Sequence, residues 1–387
     1  MEPGQAMRST IRLGKVFGIE IGFNWSLIFV FALVAWSLAV TVLPQAVPNR
    51  STAAYWITGL IGAVVFYGCL LVHELSHSVV ARRNGVQVSE ITLWLFGGVS
   101  KLAGEPRSPG VEALITIVGP LSSILLAVVA FALALLLSAA GASALVSNLL
   151  VWLAVLNLSL GIFNLVPAFP LDGGRLLSSF FWARTGTRQG GVHIAVRVGR
   201  VFAFLLIGIG ALELFRGDGF NGIWLAFLGW FLLSAGSAEE SSTVTRALLG
   251  SVPVSAAMSS PVVTVPDALT VDQFLASEAV HHHFTTYPLR DPAGELSGVV
   301  RLNEIVREAS RGGHDRKLRD LAAPISLIPT ARPDEGLEAL LERLDSGLDR
   351  RVLVLDGGNL VGILSPTDVA RIVTVRQALA TRAGVAV

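Results

Sequence analysis

A chain of 387 residues that is 52% hydrophobic and only 15% charged, with a mean hydropathy of +0.65, does not have the composition of a soluble globular protein, in which about 25% of residues are charged. The net charge of +1 argues against a nucleic-acid partner, and the single cysteine, Cys69, excludes an intramolecular disulfide. The composition is that of a membrane protein.

Arg8, Arg12 and Lys15 precede an apolar run that is too long for a secretory signal and has no small-residue cleavage site after it, so it reads as a retained anchor. No charge occurs from Ile21 to Asn49, which gives the first membrane span; the second runs from about Tyr55 to Val80 and is stopped by Arg82 and Arg83. The uncharged stretch between Glu112 and Asp172 holds two more, with a turn near Gly141-Ala142-Ser143. The fifth is expected from about Val198 to Phe215 and the sixth from Phe220 to Ala238. Basic residues gather before span one, between spans two and three (Arg82, Arg83, Lys101, Arg107) and between four and five (Arg175, Arg184, Arg188, Arg197). That asymmetry predicts both termini in the cytoplasm.

Past a polar linker from Ser237 to Thr243, the composition becomes that of a soluble α/β module. Short β-branched runs such as Val262 to Val265, Arg351 to Leu355 and Leu360 to Leu364 alternate with amphipathic helices such as Leu337 to Leu344. A pattern of proline, strand, helix and glycine-containing strand occurs twice, around Pro261 and Gly298 and again around Pro324 and Gly362, so two half-modules should pack together. The expected organisation is a membrane domain over residues 1–240, a linker over 241–251, the repeated module over 252–375 and a tail over 376–387.

Inside the second span lies Leu71-Val72-His73-Glu74-Leu75-Ser76-His77. On a helix the two imidazoles are one turn apart, about 6 Å along the axis and about 40° around it, so both can reach one cation while Glu74 stands beside them. Two neutral nitrogens and an adjacent carboxylate are what a zinc hydrolase uses to hold the ion and to take a proton from water. Ionisable groups in an apolar span are costly unless they have such a role. A catalytic zinc site takes a third protein ligand. The candidate is Asp172, after Pro167 and Pro170 at the same membrane depth, unless it is a loop carboxylate pairing with Arg175. Between the two motifs, Val86 to Val99 reads as a hairpin turning at Gly97-Gly98, either a free edge for an unwound peptide or a plain surface hairpin. Cys69, one turn before His73, reads as a small packing residue, and His281-His282-His283 as a solvated helix end.

His73-Glu74-Leu75-Ser76-His77 together with Asn164-Leu165-Val166-Pro167-Ala168-Phe169-Pro170-Leu171-Asp172-Gly173-Gly174 resembles the site-2 protease family of intramembrane zinc metalloproteases, over roughly Phe17 to Ala238. The resemblance implies a polytopic α-helical membrane protein with six transmembrane helices and a membrane-associated β-hairpin. It implies that His73, His77 and Asp172 bind one Zn2+, that Glu74 activates water and that Asn164 helps hold the substrate carbonyl. Gly97, Gly98 and Val99 are then expected to contact the substrate, a single-span membrane protein cut near the cytoplasmic side in regulated proteolysis, and the setting is a bacterial cell membrane.

The C-terminal repeat, about Val252 to Val375, resembles a pair of CBS domains. In its second half Gly362-Ile363-Leu364-Ser365-Pro366-Thr367-Asp368 matches the family's nucleotide-contacting pattern, which implies that Ser365, Thr367 and Asp368 meet an adenine nucleotide such as ATP or AMP. The first half has Arg301 and Glu304 where a hydroxyl residue and an aspartate are expected, so one site or none is foreseen rather than two. A purely structural or dimerising role, with homodimers through the CBS pair, is the other reading. A CBS-regulated transporter and a catalytically silent binding protein of the same fold are the competing functions. The first would need polar groups continuing across the membrane and the second a missing ligand or base.

Overall fold

The computed structural model describes residues 10–94, 97–250, 252–277, 284–344 and 351–382. The chain divides into two compact units, Met1–Thr243 and Val244–Val387.

Among the described residues of the first unit, a hairpin of β1 (Ile11–Val16) and β2 (Ile19–Phe23) precedes the first membrane span. Phe17 and Gly18 both have positive φ, +50° and +74°, the backbone of a tight two-residue hairpin turn. The first span is α1 (Ser26–Ala46), which loosens into a π-helical turn at Leu38–Val42. Next come α2 (Thr52–Arg83), β3 (Gln87–Trp94) and β4 (Gly97–Ala103). After them α3 (Pro109–Ala139) and α4 (Ala144–Asn164) reverse at Gly141, where φ is +74°. A helix not foreseen, α5 (Asp172–Thr185), precedes α6 (Arg188–Phe215) and α7 (Gly219–Leu249). Among the described residues six of these helices, all but α5, are long and apolar enough to cross a membrane.

Two spans are longer than expected, for visible reasons. Thr187 accepts a hydrogen bond from the Gly190 amide and starts α6 ten residues before Val198. Arg188 there pairs with Glu105 (2.7 Å) and with buried Glu112 (3.4 Å) at the start of α3. The polar segment Ser237 to Thr243 contains neither proline nor glycine and simply continues α7; Glu240 in it binds His193 (2.5 Å) and Arg200 (2.7 Å) of α6.

The four strands form one sheet in the order β1-β2-β3-β4, with β2 and β3 parallel and both outer pairs antiparallel. The chain therefore crosses from β2 to β3 through α1 and α2. Gly97 and Gly98 do not make the turn. They are the first residues of β4, opposite Trp94 and Leu93, and Val99 follows opposite Thr92. Ile19, Ile91 and Leu93 of the sheet pack with Leu70 and Ala81 of α2 and Ile115 of α3, and Gly98 and Ser100 of β4 come against Glu74 and Ser78 of α2.

Helix α2 has 32 residues, so at 1.5 Å per residue it is about 48 Å long and exceeds the roughly 30 Å hydrocarbon core. Ser51 caps its start by accepting from the Ala54 amide, and Arg82 and Arg83 in the last turn complement the helix dipole. His73 and His77 sit toward that basic end.

In the second unit two three-stranded sheets are built alike. The first joins β5 (Val265–Pro266), β6 (Thr286–Arg290) and β7 (Leu296–Arg301); the second joins β8 (Thr330–Ala331), β9 (Val352–Asp356) and β10 (Asn359–Leu364). In each, the first strand is parallel to the second and the third antiparallel to it, which is the repeat read from the sequence. Phe274, Tyr287 and Leu289 anchor one core; Leu337, Val352 and Leu364 anchor the other. The closing helix, α8 (Pro366–Arg382), runs well into the expected tail. His281-His282-His283 lie outside the described residues.

Candidate active site

The residues expected to meet do meet. Asp172, the first residue of α5, places Oδ2 3.3 Å from His73 Nε2 and 3.3 Å from His77 Nε2, and the two Nε2 atoms are 3.2 Å apart. The pairing with Arg175 considered above for the Asp172 carboxylate gives way to this arrangement. Among the described residues this is the one group of three or more His, Cys, Asp or Glu side chains able to hold a metal ion. Ligand atoms about 2.0–2.1 Å from a tetrahedral ion lie about 3.3–3.4 Å from one another, so the triangle has the edge length zinc requires. Cys69 stays outside it, half-buried beside Asn157.

Each donor is prepared for a cation. His77 Nδ1 is 2.7 Å from the Ile115 carbonyl. A carbonyl only accepts, so Nδ1 carries the hydrogen and Nε2 of the neutral ring is bare. His73 Nδ1 is 2.9 Å from Ser123 Oγ. Burial alone would raise the Asp172 carboxyl, but the two imidazoles hold it well below the ordinary carboxylate range, in the anionic form that ligates metal.

Three α3 positions four residues apart, Ile115, Gly119 and Ser123, form the wall behind the histidines. A Cβ built on Gly119 would overlap His77 Nε2 and lie 2.8 Å from His73 Nε2. Glu74 is covered from the other side by β4: a Cβ on Gly98 would lie 2.6 Å from its Cδ. Ser100 Oγ is 3.5 Å from Glu74 Oε2 and 3.1 Å from Ser78 Oγ, so the carboxylate is held at the foot of the strand. The sequence reading had not singled out Ser100, Gly119 or Ser123. For Gly119 and Ser123, small residues along an apolar helix, which allow close helix approach, were the available signal; Ser100, on β4, had none.

Asn164, the last residue of α4, turns one amide hydrogen to its own helix, 3.0 Å from the Leu160 carbonyl. The loop from Leu165 to Leu171 then delivers Asp172. Cβ atoms on Gly173 and Gly174 would collide with the Leu165, Val166 and Ala168 backbone, so both glycines are needed to fold α5 back on that loop.

In the second unit Asp368 accepts from the Ser365 amide (2.9 Å) and hydroxyl (2.5 Å) and from Ser259 Oγ (3.0 Å), while Thr367 is exposed. Arg351 donates to Thr285 Oγ1. Partial burial and then the charge of Arg301 pull the Arg351 guanidinium below its usual pKa, so two cationic side chains share this end of the sheets.

A largely buried His-His-Asp triangle with a carboxylate beside it, two of its ligands on a membrane-length helix and the third at the start of α5, has the make-up of a membrane metallohydrolase. The model of peptidase family M50 matches residues 61–143 and 135–206, and the CBS domain model matches 319–375. Zinc metalloprotease Rip3 of Mycobacterium tuberculosis is 40% identical over 370 residues, 95% of this chain and 94% of that protein. Zinc metalloprotease MJ0392 of Methanocaldococcus jannaschii is 28% identical, over 96% of this chain and 98% of the relative. Among solved structures, the site-2 protease from Methanocaldococcus jannaschii is 29% identical with a TM-score of 0.41, covering 59% of this chain and 94% of that one. The chain belongs to peptidase family M50, the site-2 protease family of zinc metalloproteases, and carries a C-terminal CBS domain.

Proposed function

We propose that this protein cuts the transmembrane segments of single-span regulatory membrane proteins near the cytoplasmic side, using one zinc ion held by His73, His77 and Asp172. The observation that carries the reading is the triangle of 3.2, 3.3 and 3.3 Å between their ligand atoms, with the Glu74 carboxylate held next to it under Gly98. Zinc bound there supplies Lewis-acid polarisation of the scissile carbonyl and acidifies water at neutral pH. Glu74 takes the proton from the attacking water and passes it to the leaving amine. Asn164, with its second amide hydrogen, steadies the oxyanion.

A transmembrane helix shields its peptide bonds, so the substrate must first unwind. Strand β4 is the terminal strand of its sheet, and an extended peptide added there would run past Gly97, Gly98 and Val99, directly above Glu74. The basic residues that flank the site end of α2 favour a cytoplasmic site and cytoplasmic termini, and the mycobacterial source of the 40% identical relative favours a bacterial cell membrane. The CBS pair, through Ser365, Thr367 and Asp368, takes an adenine nucleotide whose phosphates face Arg301 and Arg351, and it pairs two copies of the chain.

The test is metal removal. Purified protein in liposomes with a panel of single-span substrates should cleave, lose at least ~10³-fold of its rate to a strong chelator, and regain it with stoichiometric zinc. Cleavage that survives complete zinc removal would sink the reading.

A further inference from the structure

We infer that Ser123 is a positioning residue that fixes the tautomer of His73 and so the strength of the metal centre. The inference rests on the zinc reading above, and concerns a residue that does not itself touch the metal or the substrate.

The two histidines are anchored differently. The His77 partner, the Ile115 carbonyl, can only accept, so that ring has one neutral tautomer in place, the one with a bare Nε2. The His73 partner is a hydroxyl, which can accept or donate. If Ser123 donates to Nδ1, the hydrogen of the neutral ring sits on Nε2, where it points at Asp172 and closes that nitrogen to a cation. If Ser123 accepts, Nδ1 carries the hydrogen and Nε2 is bare. Ligation selects the second state, and Ser123 Oγ is the acceptor in reach.

The hydroxyl and the ring are both out of contact with solvent. Ser123 is 0% exposed and His73 3% exposed, so removing the hydroxyl leaves a buried N–H without a partner. The ring then loses its anchor, and the tautomer with its hydrogen on Nε2, which still has the Asp172 carboxylate to donate to, becomes the better-satisfied one. Ser122, the adjacent residue on α3, donates only to the Gly119 carbonyl of its own helix and provides the control.

The experiment measures zinc affinity of the purified full-length protein by competition with a chromophoric chelator. The variants are Ser123→Ala, Ser123→Thr and Ser122→Ala, each checked for an unchanged helical spectrum. Ser123→Ala should bind zinc ~10- to 100-fold more weakly than wild type. Ser123→Thr, which keeps the hydroxyl, should recover most of that loss, and Ser122→Ala should match wild type. Wild-type affinity in Ser123→Ala overturns the inference, as does equal weakening in Ser123→Ala and Ser123→Thr, since the hydroxyl would then not be the cause. Either outcome with zinc bound to wild type leaves the zinc reading standing. A wild type that takes up no zinc overturns both.

Discussion

Gly119→Ala is expected to empty the metal centre and to lower cleavage at least ~10²-fold, the scale of loss that follows a misplacement of about 1 Å at a catalytic site. A methyl group at this position falls on His77 Nε2 and 2.8 Å from His73 Nε2. Neither ring can turn aside, because each is anchored by Nδ1 to α3 itself, His73 at Ser123 and His77 at Ile115. Relief requires either breaking both anchors or lifting α3 off α2, and either change opens the ligand triangle. The effect is not a cost to the helix, since alanine is favoured over glycine in a helix interior by about 1 kcal/mol. Gly110→Ala, on the same helix with nothing within 4 Å of its Cβ, should leave zinc content and cleavage unchanged. Zinc stoichiometry by elemental analysis, read beside cleavage, decides the matter: a Gly119→Ala protein with a full complement of zinc would show that the wall has room to give.

What the sequence disclosed about this site, and what it hid, follows from where chemistry is written. His73, Glu74 and His77 are legible because three ionisable groups at helical spacing stand out in an apolar span. Asp172 is a candidate because two prolines and a glycine pair break a long uncharged run just around it, but only the resemblance of Asn164 to Gly174 to the site-2 protease motif prefers it as a ligand over a pairing with Arg175. Gly119 and Ser123 are ordinary residues for a membrane helix, and what makes them matter is the face of α2 they oppose, which no single segment reveals. The same limit explains β1 and β2. Ile11 to Leu13 alternates apolar and polar residues as a strand does, but the pattern breaks at Gly14 and Lys15, and the uncharged run after it is the stronger signal and absorbs Ile21 into a helix. Helix α5 is obscured by Gly173 and Gly174, poor helix formers that are required there by the close approach of the Leu165–Ala168 backbone. Gly97 and Gly98 look like a turn for a similar reason: glycine marks both a reversal and a place where something packs close, and at Gly98 that something is Glu74.

Glu74→Gln is expected to abolish cleavage while leaving zinc in place, and the two readings together separate the base from the ligands. The amide is nearly the same size as the carboxylate, so the packing beneath Gly98 and the contact with Ser100 Oγ survive the change. What is lost is the capacity to accept a proton from water and deliver it to the departing nitrogen. General acid–base catalysis of this kind contributes about 10²–10⁴-fold, and here one residue serves both transfers, so the loss should lie at the upper end. Zinc should stay because Glu74 is outside the triangle of ligand atoms. His77→Ala, in contrast, should lose the metal and the activity together. Cleavage in Glu74→Gln equal to wild type would remove Glu74 from the chemistry and leave Asn164 and the ion to account for it. Loss of zinc from the same variant would instead make Glu74 part of the metal's hold, and the separation of roles between neighbouring positions of α2 would have to be redrawn.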